Sequence, residues 1–437
     1  MILIWECSLA ETIFFSLVSG ISFFTSLLYW IAKYETRILV IVLTLSAPYF
    51  IFFALLTRFL WKRYQRNPIQ IFVPPLAWLM IHFLYSFTPV NIIGNQIGFH
   101  QAPFFPGIVR ITGLCGITFL ILLTNSLITY YLKTKKSKLL IGLGVIALIL
   151  VYGSNSKFSF FKTTPMRVAL IQHNFPIDPK WRTEHADKIM DYYQQTIIKL
   201  SGTADLVAFP QYGLPVDVLR KPKVFDDLAK KLNISIILAT YIPKIAGGNL
   251  ESGLRTDSAL LFSPGKSPQE YQAITPPPFR RISQVVGRTR KPLVIGKIRA
   301  GIMLCYEDTR SEEGRKWIQA NAQILIALSN PGHFLGTNLP YYHFIHDRIR
   351  AIETGKYLIR VSPNGFSALI NPNGELIKKS RLNEESVMNG VVYPNDHETL
   401  FVRWGDWMTQ ISVMIGLMLV IIPYIRNSIN FFARKIR

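Results

Sequence analysis

Six apolar runs frame a polar middle. Residues 9–32, 38–61, 69–90, 108–132 and 139–152 come first, and 407–425 come last. Most approach twenty residues with almost no charge, the length at which a helix crosses the hydrocarbon core of a bilayer. The fifth is short and reaches that length with its flanks. One such run reads as a buried helix; six at the two ends of the chain predict a transmembrane bundle. From Met166 the pattern switches to short elements. Residues 167–172, 205–210, 234–240, 257–262, 297–305, 324–329, 357–362, 367–371 and 391–393 read as strands. Residues 181–200, 224–232, 310–322 and 340–354 read as helices. Alternation of strand and helix predicts an α/β layered domain. The division expected is a bundle over 1–155, a polar domain over 156–403, and a last membrane helix with a basic tail over 404–437.

Composition agrees with this picture. Half of the 437 residues are hydrophobic and the formal net charge is +22. That charge invites nucleic acid, but much of it sits where membrane topology places it. Lys62, Arg63 and Arg66 follow the second run, and Lys133, Lys135, Lys136 and Lys138 follow the fourth. Arg426, Arg434, Lys435 and Arg437 follow the last. If all three clusters are cytoplasmic, both termini lie inside and the polar domain lies outside. A cleaved signal peptide is not expected, because residues 1–6 carry no positive charge and the first run is long. Residues 275–292, rich in Pro and Arg, read as a long mobile basic loop. On an outer domain such a loop meets anionic headgroups rather than nucleic acid. Cys7, Cys115 and Cys305 form no disulfide framework. Only Cys305 falls in the polar domain, at the end of an apolar strand entering polar residues, a place from which a thiol can act as nucleophile.

Around that cysteine the residues resemble the nitrilase (carbon–nitrogen hydrolase) family. The resemblance is carried by Val168-Ala-Leu-Ile-Gln172, Asp205-Leu-Val-Ala-Phe-Pro210, Ser258-Ala-Leu-Leu-Phe262 and Cys305-Tyr-Glu307. Leu328-Ser-Asn330, Arg348-x-Arg350-Ala-Ile-Glu353-Thr-Gly355 and Asn364-Gly365 extend it. With membrane segments resembling Gly20-Ile-Ser-Phe-Phe-Thr-Ser-Leu-Leu-Tyr-Trp30 and Thr112-Gly-Leu-Cys-Gly-Ile-Thr-Phe-Leu120, the layout is similar to the apolipoprotein N-acyltransferase family. The resemblance implies a four-layer αββα sandwich joined to about six spans, where full-length relatives have eight. It further implies a plasma-membrane location and fatty acyl transfer from phospholipid, through a Cys thioester, to an N-terminal amine. No cofactor and no metal is implied. The implied partners are phospholipid and membrane, with lipoprotein or other membrane proteins, and no nucleic acid.

The family chemistry uses a Glu to take the thiol proton, a Lys to steady the oxyanion, and the Cys. The nucleophile position is Cys305. The base position, after the Pro of the second strand, holds Gln211, which cannot accept a proton at neutral pH. The Lys position, two residues beyond Tyr271, holds Ala273. A shift in this loop would bring Arg280 near the site. Glu307 is the surviving carboxylate beside the thiol; its alternative is a salt bridge on the opposite face of the strand end. Tyr306, Asn330, His333 and Phe334 are the candidate substrate contacts, although Asn330-Pro-Gly332 is first of all a turn. His343 and His346 have a spacing open to a metal but no third ligand in a motif. Two readings follow. One is an acyltransferase or amidase working through Cys305 with a rearranged base. The other is a non-catalytic membrane scaffold, for example in a conjugal-transfer or secretion system.

Overall fold

The computed structural model describes residues 6–33, 35–65, 67–88, 96–157, 163–214, 222–243, 254–277 and 284–435. The chain divides into two compact units, 1–156 with 404–437, and 157–403.

In the first unit, six helical segments are long and apolar enough to cross a membrane. They are Leu9–Lys33, Thr36–Arg63, Pro68–Ser86, Pro106–Thr134, Lys138–Asn155 and Trp407–Ile425. These are the six runs read from the sequence, and the chain is a membrane protein. The second segment is broken. A helix over Thr36–Ser46 ends at Ala47, and another begins at Pro48, whose ring collides with the carbonyl four residues back and which has no N–H to give. The break packs on the first segment at Gly20, where a Cβ would lie 2.6 Å from the Ala47 carbonyl oxygen. Phe24 and Phe53 pack inside the bundle. They are buried with Tyr49, Trp78 and Tyr85, where helix packing takes up more ring surface than headgroups would. The same unit holds a polar cluster: the Cys115 thiol donates to Asp406 Oδ2 at 3.3 Å, and Gln96 Nε2 lies 2.8 Å from His82 Nε2.

The second unit is built on two sheets. The first contains β1 (Met166–Gln172), β2 (Leu206–Gln211), β3 (Ser235–Pro243), β4 (Arg255–Ser263), β5 (Lys266–Gln272), β6 (Gln284–Val285) and β13 (Ser386–Val392). Its order is β13-β1-β2-β3-β4-β5, with β6 beside β4. The second sheet, in the order β12-β11-β10-β9-β8-β7, contains β7 (Leu293–Ile295), β8 (Ile298–Leu304), β9 (Ile324–Leu328), β10 (Leu358–Val361), β11 (Ala368–Ile370) and β12 (Leu376–Lys379). The central strands of each sheet are parallel and buried on both faces, hence their unbroken aliphatic runs. Between the sheets lie Leu170, Ala208, Ala259, Leu261, Ile302 and Leu304. On the outer side of the first sheet, Val207, Phe209, Leu260 and Phe262 pack on α1 (Ala186–Lys199) and α2 (Pro222–Leu232) through Tyr193, Ile197 and Phe225. The second sheet carries α3 (Ser311–Gln319) and α4 (Leu339–Thr354). The result is an αββα sandwich.

Where residues 275–292 are described, Thr275 and Arg290 make side-chain contacts with the helix over Ser311–Gln319. The half-buried Arg290 guanidinium bridges Glu313 at 2.5 Å and lies 5.1 Å from the Trp317 ring centroid, while Thr275 Oγ1 donates to Glu313 at 2.8 Å. A cation with a carboxylate partner and an aromatic face is at home in an interior that would expel it alone. Residues 278–283, which include Arg280, lie outside the described residues.

Candidate active site

Strand β8 runs through the apolar inter-sheet layer and ends at Leu304. There the chain turns abruptly into a short helical turn over Cys305–Thr309. Cys305 makes the turn with φ of +48°, in the left-handed region that costs a residue with a Cβ about 1–2 kcal/mol. The strained backbone throws its side chain out of the strand plane and leaves it partly exposed. The backbone N–H groups of Asn330, just beyond β9, and of Tyr306 donate toward the sulfur. Burial, and then the charges of Asp308 and Asp257, push the Cys305 thiol up to about 12, against the weaker pull of those two amides. At neutral pH the sulfur keeps its proton, so attack on a carbonyl requires a group to take it.

Gln211 stands at the end of β2, fully buried and turned toward the inter-sheet side. Its Nε2 donates to Asp257 Oδ2 at 2.7 Å. The chain then turns at Tyr212, again through a left-handed residue with φ of +56°. The Arg182 guanidinium holds that turn by donating to the Tyr212 carbonyl. The Tyr212 ring stacks on Tyr241 at 4.0 Å, and the Arg255 guanidinium lies 4.0 Å from the Tyr241 centroid. Ala273 is buried just after β5, and its N–H donates to the Asp257 carbonyl at 2.8 Å. Two positions named from the sequence, Gln211 and Ala273, therefore meet at Asp257, the first through its side chain and the second through its backbone. Asp257 escaped the sequence reading because its strand registered only as apolar. The signal was an acidic residue inside an otherwise buried β4, since lone carboxylates are rarely placed there without a task.

Among the described residues Glu307 forms no salt bridge, and its oxygens are taken by other donors. Its Oε1 accepts from the Tyr271 hydroxyl at 2.8 Å and from the amides of Ile274 at 2.8 Å and Thr275 at 3.1 Å. Its Oε2 accepts from the Leu304 amide at 2.9 Å. Both oxygens are spent on fixing the loop after Ala273 to the strand end that carries Cys305. Burial raises the Glu307 carboxyl to about 7 despite the Leu304 and Thr275 amides. Asp308, next along, accepts from His343 Nδ1 at 2.9 Å and from Arg360 at 3.3 Å. Arg350 pairs with Glu353 at 3.1 Å, while Arg348 donates to the Gly374 carbonyl at 2.9 Å. His343 is thus taken by a carboxylate on the protein, and His346 is fully enclosed on the same helix.

Tyr306 is buried, and Asn330 uses its Oδ1 to cap the turn by accepting from the Gly332 amide at 3.1 Å. The turn reading of Asn330 and a role for its own amide at the sulfur therefore hold together. His333 is exposed and Phe334 half-buried on the short turn Gly332–Phe334 that follows.

The carbon–nitrogen hydrolase model matches residues 167–396, the whole of the two-sheet unit from β1 through β13. The chain belongs to the carbon–nitrogen hydrolase family. A second model, that of the apolipoprotein N-acyltransferase N-terminal domain, matches residues 1–127. The relatives agree with both matches. An apolipoprotein N-acyltransferase of Geobacter metallireducens is 24% identical over 94% of this chain and 87% of its own length. One of Thermosynechococcus vestitus is 25% identical over 80% of this chain and 72% of its own, and one of Haemophilus influenzae 25% identical over 88% and 80%. Among solved structures, a carbon–nitrogen hydrolase of Helicobacter pylori aligns at 17% identity with a TM-score of 0.43, over 62% of this chain and 98% of that one. The carbon–nitrogen hydrolase domain is thus continuous in sequence with a membrane region of the N-acyltransferase type.

Proposed function

We propose that this protein is a membrane acyltransferase of the apolipoprotein N-acyltransferase kind. It takes a fatty acyl group from phospholipid onto Cys305 as a thioester and passes it to the N-terminal amine of a lipoprotein. In this reading the hydrolase domain stands on the outer face of the bacterial plasma membrane, with both termini inside. The observation that carries the reading is Cys305 itself, a partly exposed thiol on a left-handed strand-end turn with two amides aimed at its sulfur. Sγ attacks the ester carbonyl, the S–C bond forms, and the carbonyl electrons move to oxygen. The Asn330 and Tyr306 amides are the donors at hand for that oxyanion, where Ala273 supplies no cation. Collapse expels the lysophospholipid alkoxide, and an amine then displaces the sulfur.

A scaffold reading is favoured by one observation, the loss of a carboxylate and an ammonium at Gln211 and Ala273. Intact mass of the full chain in detergent with phospholipid, beside Cys305→Ala, separates the two. Acyl transfer predicts a hydroxylamine-labile adduct of one acyl chain that Cys305→Ala abolishes. A wild type that stays unmodified under conditions that load an N-acyltransferase control overturns the acyl-transfer reading.

A further inference from the structure

The thiol needs a proton acceptor, and the position that should supply one is an amide. The carboxylate has not left the site. Gln211 Nε2 donates to Asp257 Oδ2 at 2.7 Å, so the two side chains form a single amide–carboxylate pair. Asp257 lies opposite Tyr241 in the antiparallel register of β3 and β4. It alternates with Ala259 and Leu261, the residues of β4 that face the inter-sheet layer. Gln211 and the Tyr212 hydroxyl hold one side of the carboxyl group, and its Oδ1 is buried with no hydrogen-bond partner among the described residues. The groups facing it are Gln211 and Tyr212 from the end of β2, Tyr241 on β3, Arg255 on its own strand, and Cys305 from the end of β8. Of the two carboxylates whose charge reaches the sulfur, Asp308 is committed to His343 and Arg360. Asp257 keeps an oxygen open.

We propose that Asp257 is the general base of this site, the carboxylate having moved from position 211 on β2 to its hydrogen-bonded partner on β4. The inference rests on the acyl-transfer reading for its substrate, and on geometry for the residue. As Sγ bonds to the ester carbon, the thiol proton passes to Asp257. The neutral acid then gives it to the departing lysophospholipid oxygen, and in the second half-reaction Asp257 takes the proton of the attacking amine and returns it to sulfur. Gln211 orients the carboxylate by its single donated bond and is a positioning residue. Burial raises the Asp257 carboxyl to about 6, against hydrogen bonds from Tyr212 and Gln211 and the charge of Arg255, so at pH 7 it is ionised yet a better base than an exposed aspartate.

The test uses the full chain in detergent and two readouts. The first is the rate of carbamidomethylation at Cys305 by iodoacetamide, followed by peptide mass, which needs no lipid. A base and a bystander charge predict opposite signs here. If Asp257 takes the proton, Asp257→Asn slows alkylation at pH 7.5 by about tenfold or more, and the wild-type rate climbs through pH 6. If Asp257 only repels the thiolate, Asp257→Asn lowers the thiol pKa and alkylation quickens. The decisive variant is the exchange Gln211→Glu with Asp257→Asn, which rebuilds the same hydrogen bond with the carboxylate on β2. Recovery to within about tenfold of wild type supports the proposal and shows that the fold survives. Faster or unchanged alkylation in Asp257→Asn overturns it. The second readout, acyl loading from phospholipid, falls about 10²-fold or more in Asp257→Asn if both readings hold. Alkylation that depends on Asp257, with no acyl loading in the wild type, overturns the substrate and leaves the base standing.

Discussion

Two buried carboxyls give the candidate active site a pH signature of its own. Folding raises Asp257 from 3.8 to about 6 and Glu307 from 4.5 to about 7, in both cases chiefly through burial. Between the lower and the upper value the folded chain still holds a proton that the unfolded chain has released. The stabilisation from each is therefore complete below about pH 4 and drains away as pH rises through 6 to 7, by roughly 3 kcal/mol per group. Asp257→Asn removes that drain at one site. Its thermal midpoint in detergent, relative to wild type, should be more favourable at pH 8 than at pH 5. A difference that is flat or runs the other way would show that the carboxyl is not raised. At this scale the sequence exposed what a local motif can carry. Cys305, Gln211 and Ala273 are found by their neighbours in the chain. Asp257 acquires its meaning from a pairing 46 residues distant, and Glu307 from three donors more than thirty residues before it. No local pattern encodes such partners.

The strands that carry the site depend on close helix contact. Gly301 lies in β8, four residues before Cys305, and a Cβ there would sit 2.8 Å from the Trp317 Cβ and 3.0 Å from Leu325 Cδ2. Trp317 cannot yield, because its ring is fully buried and is faced by Arg290, itself paired with Glu313. Gly301→Ala should therefore push α3 from the sheet at a cost of about 1–3 kcal/mol. Because β8 also positions Cys305, its alkylation should slow in the same variant. Unfolding by denaturant together with the alkylation rate checks both, and a variant as stable and as reactive as wild type would refute the packing argument. Elements like β8 were legible because burial on both faces demands an unbroken aliphatic run. Four strands were missed, β6 because it has only two residues and the others for the converse reason. β5 (Lys-Ser-Pro-Gln-Glu-Tyr-Gln) and β12 (Leu-Ile-Lys-Lys) are largely exposed, and β7 has only three residues. Edge strands carry polar residues that discourage pairing with other chains, and so lose the pattern by which strands are read.

For the whole molecule, the six spans were legible because each is long and unbroken by charge, and their direction can now be argued from two sources. The basic clusters after the second, fourth and sixth spans favour the cytoplasm for those ends. Contacts within the bundle bring the same ends together. The Arg63 guanidinium lies 5.2 Å from the Tyr424 ring centroid and the Tyr64 hydroxyl donates to the Leu419 carbonyl, joining the ends of the second and sixth spans. Lys133 at the end of the fourth reaches Glu6 before the first at 3.8 Å. On the opposite side, Trp407 Nε1 donates to the Ile111 carbonyl and Arg110 to the Ser156 carbonyl, so the start of the fourth span lies with the end of the fifth and the start of the sixth. In the arrangement we propose from the charge bias, residues 157–403 stand outside and meet phospholipid from the outer leaflet. Alkaline phosphatase fused after residue 157 should then be active, and a fluorescent protein fused after Arg437 should fluoresce in the cytoplasm. An inactive phosphatase and a dark tail would invert the bundle. Cys305 would then lie in the reducing compartment, away from the lipoprotein amine proposed as its acceptor, and the acyl-transfer reading would fall with the topology.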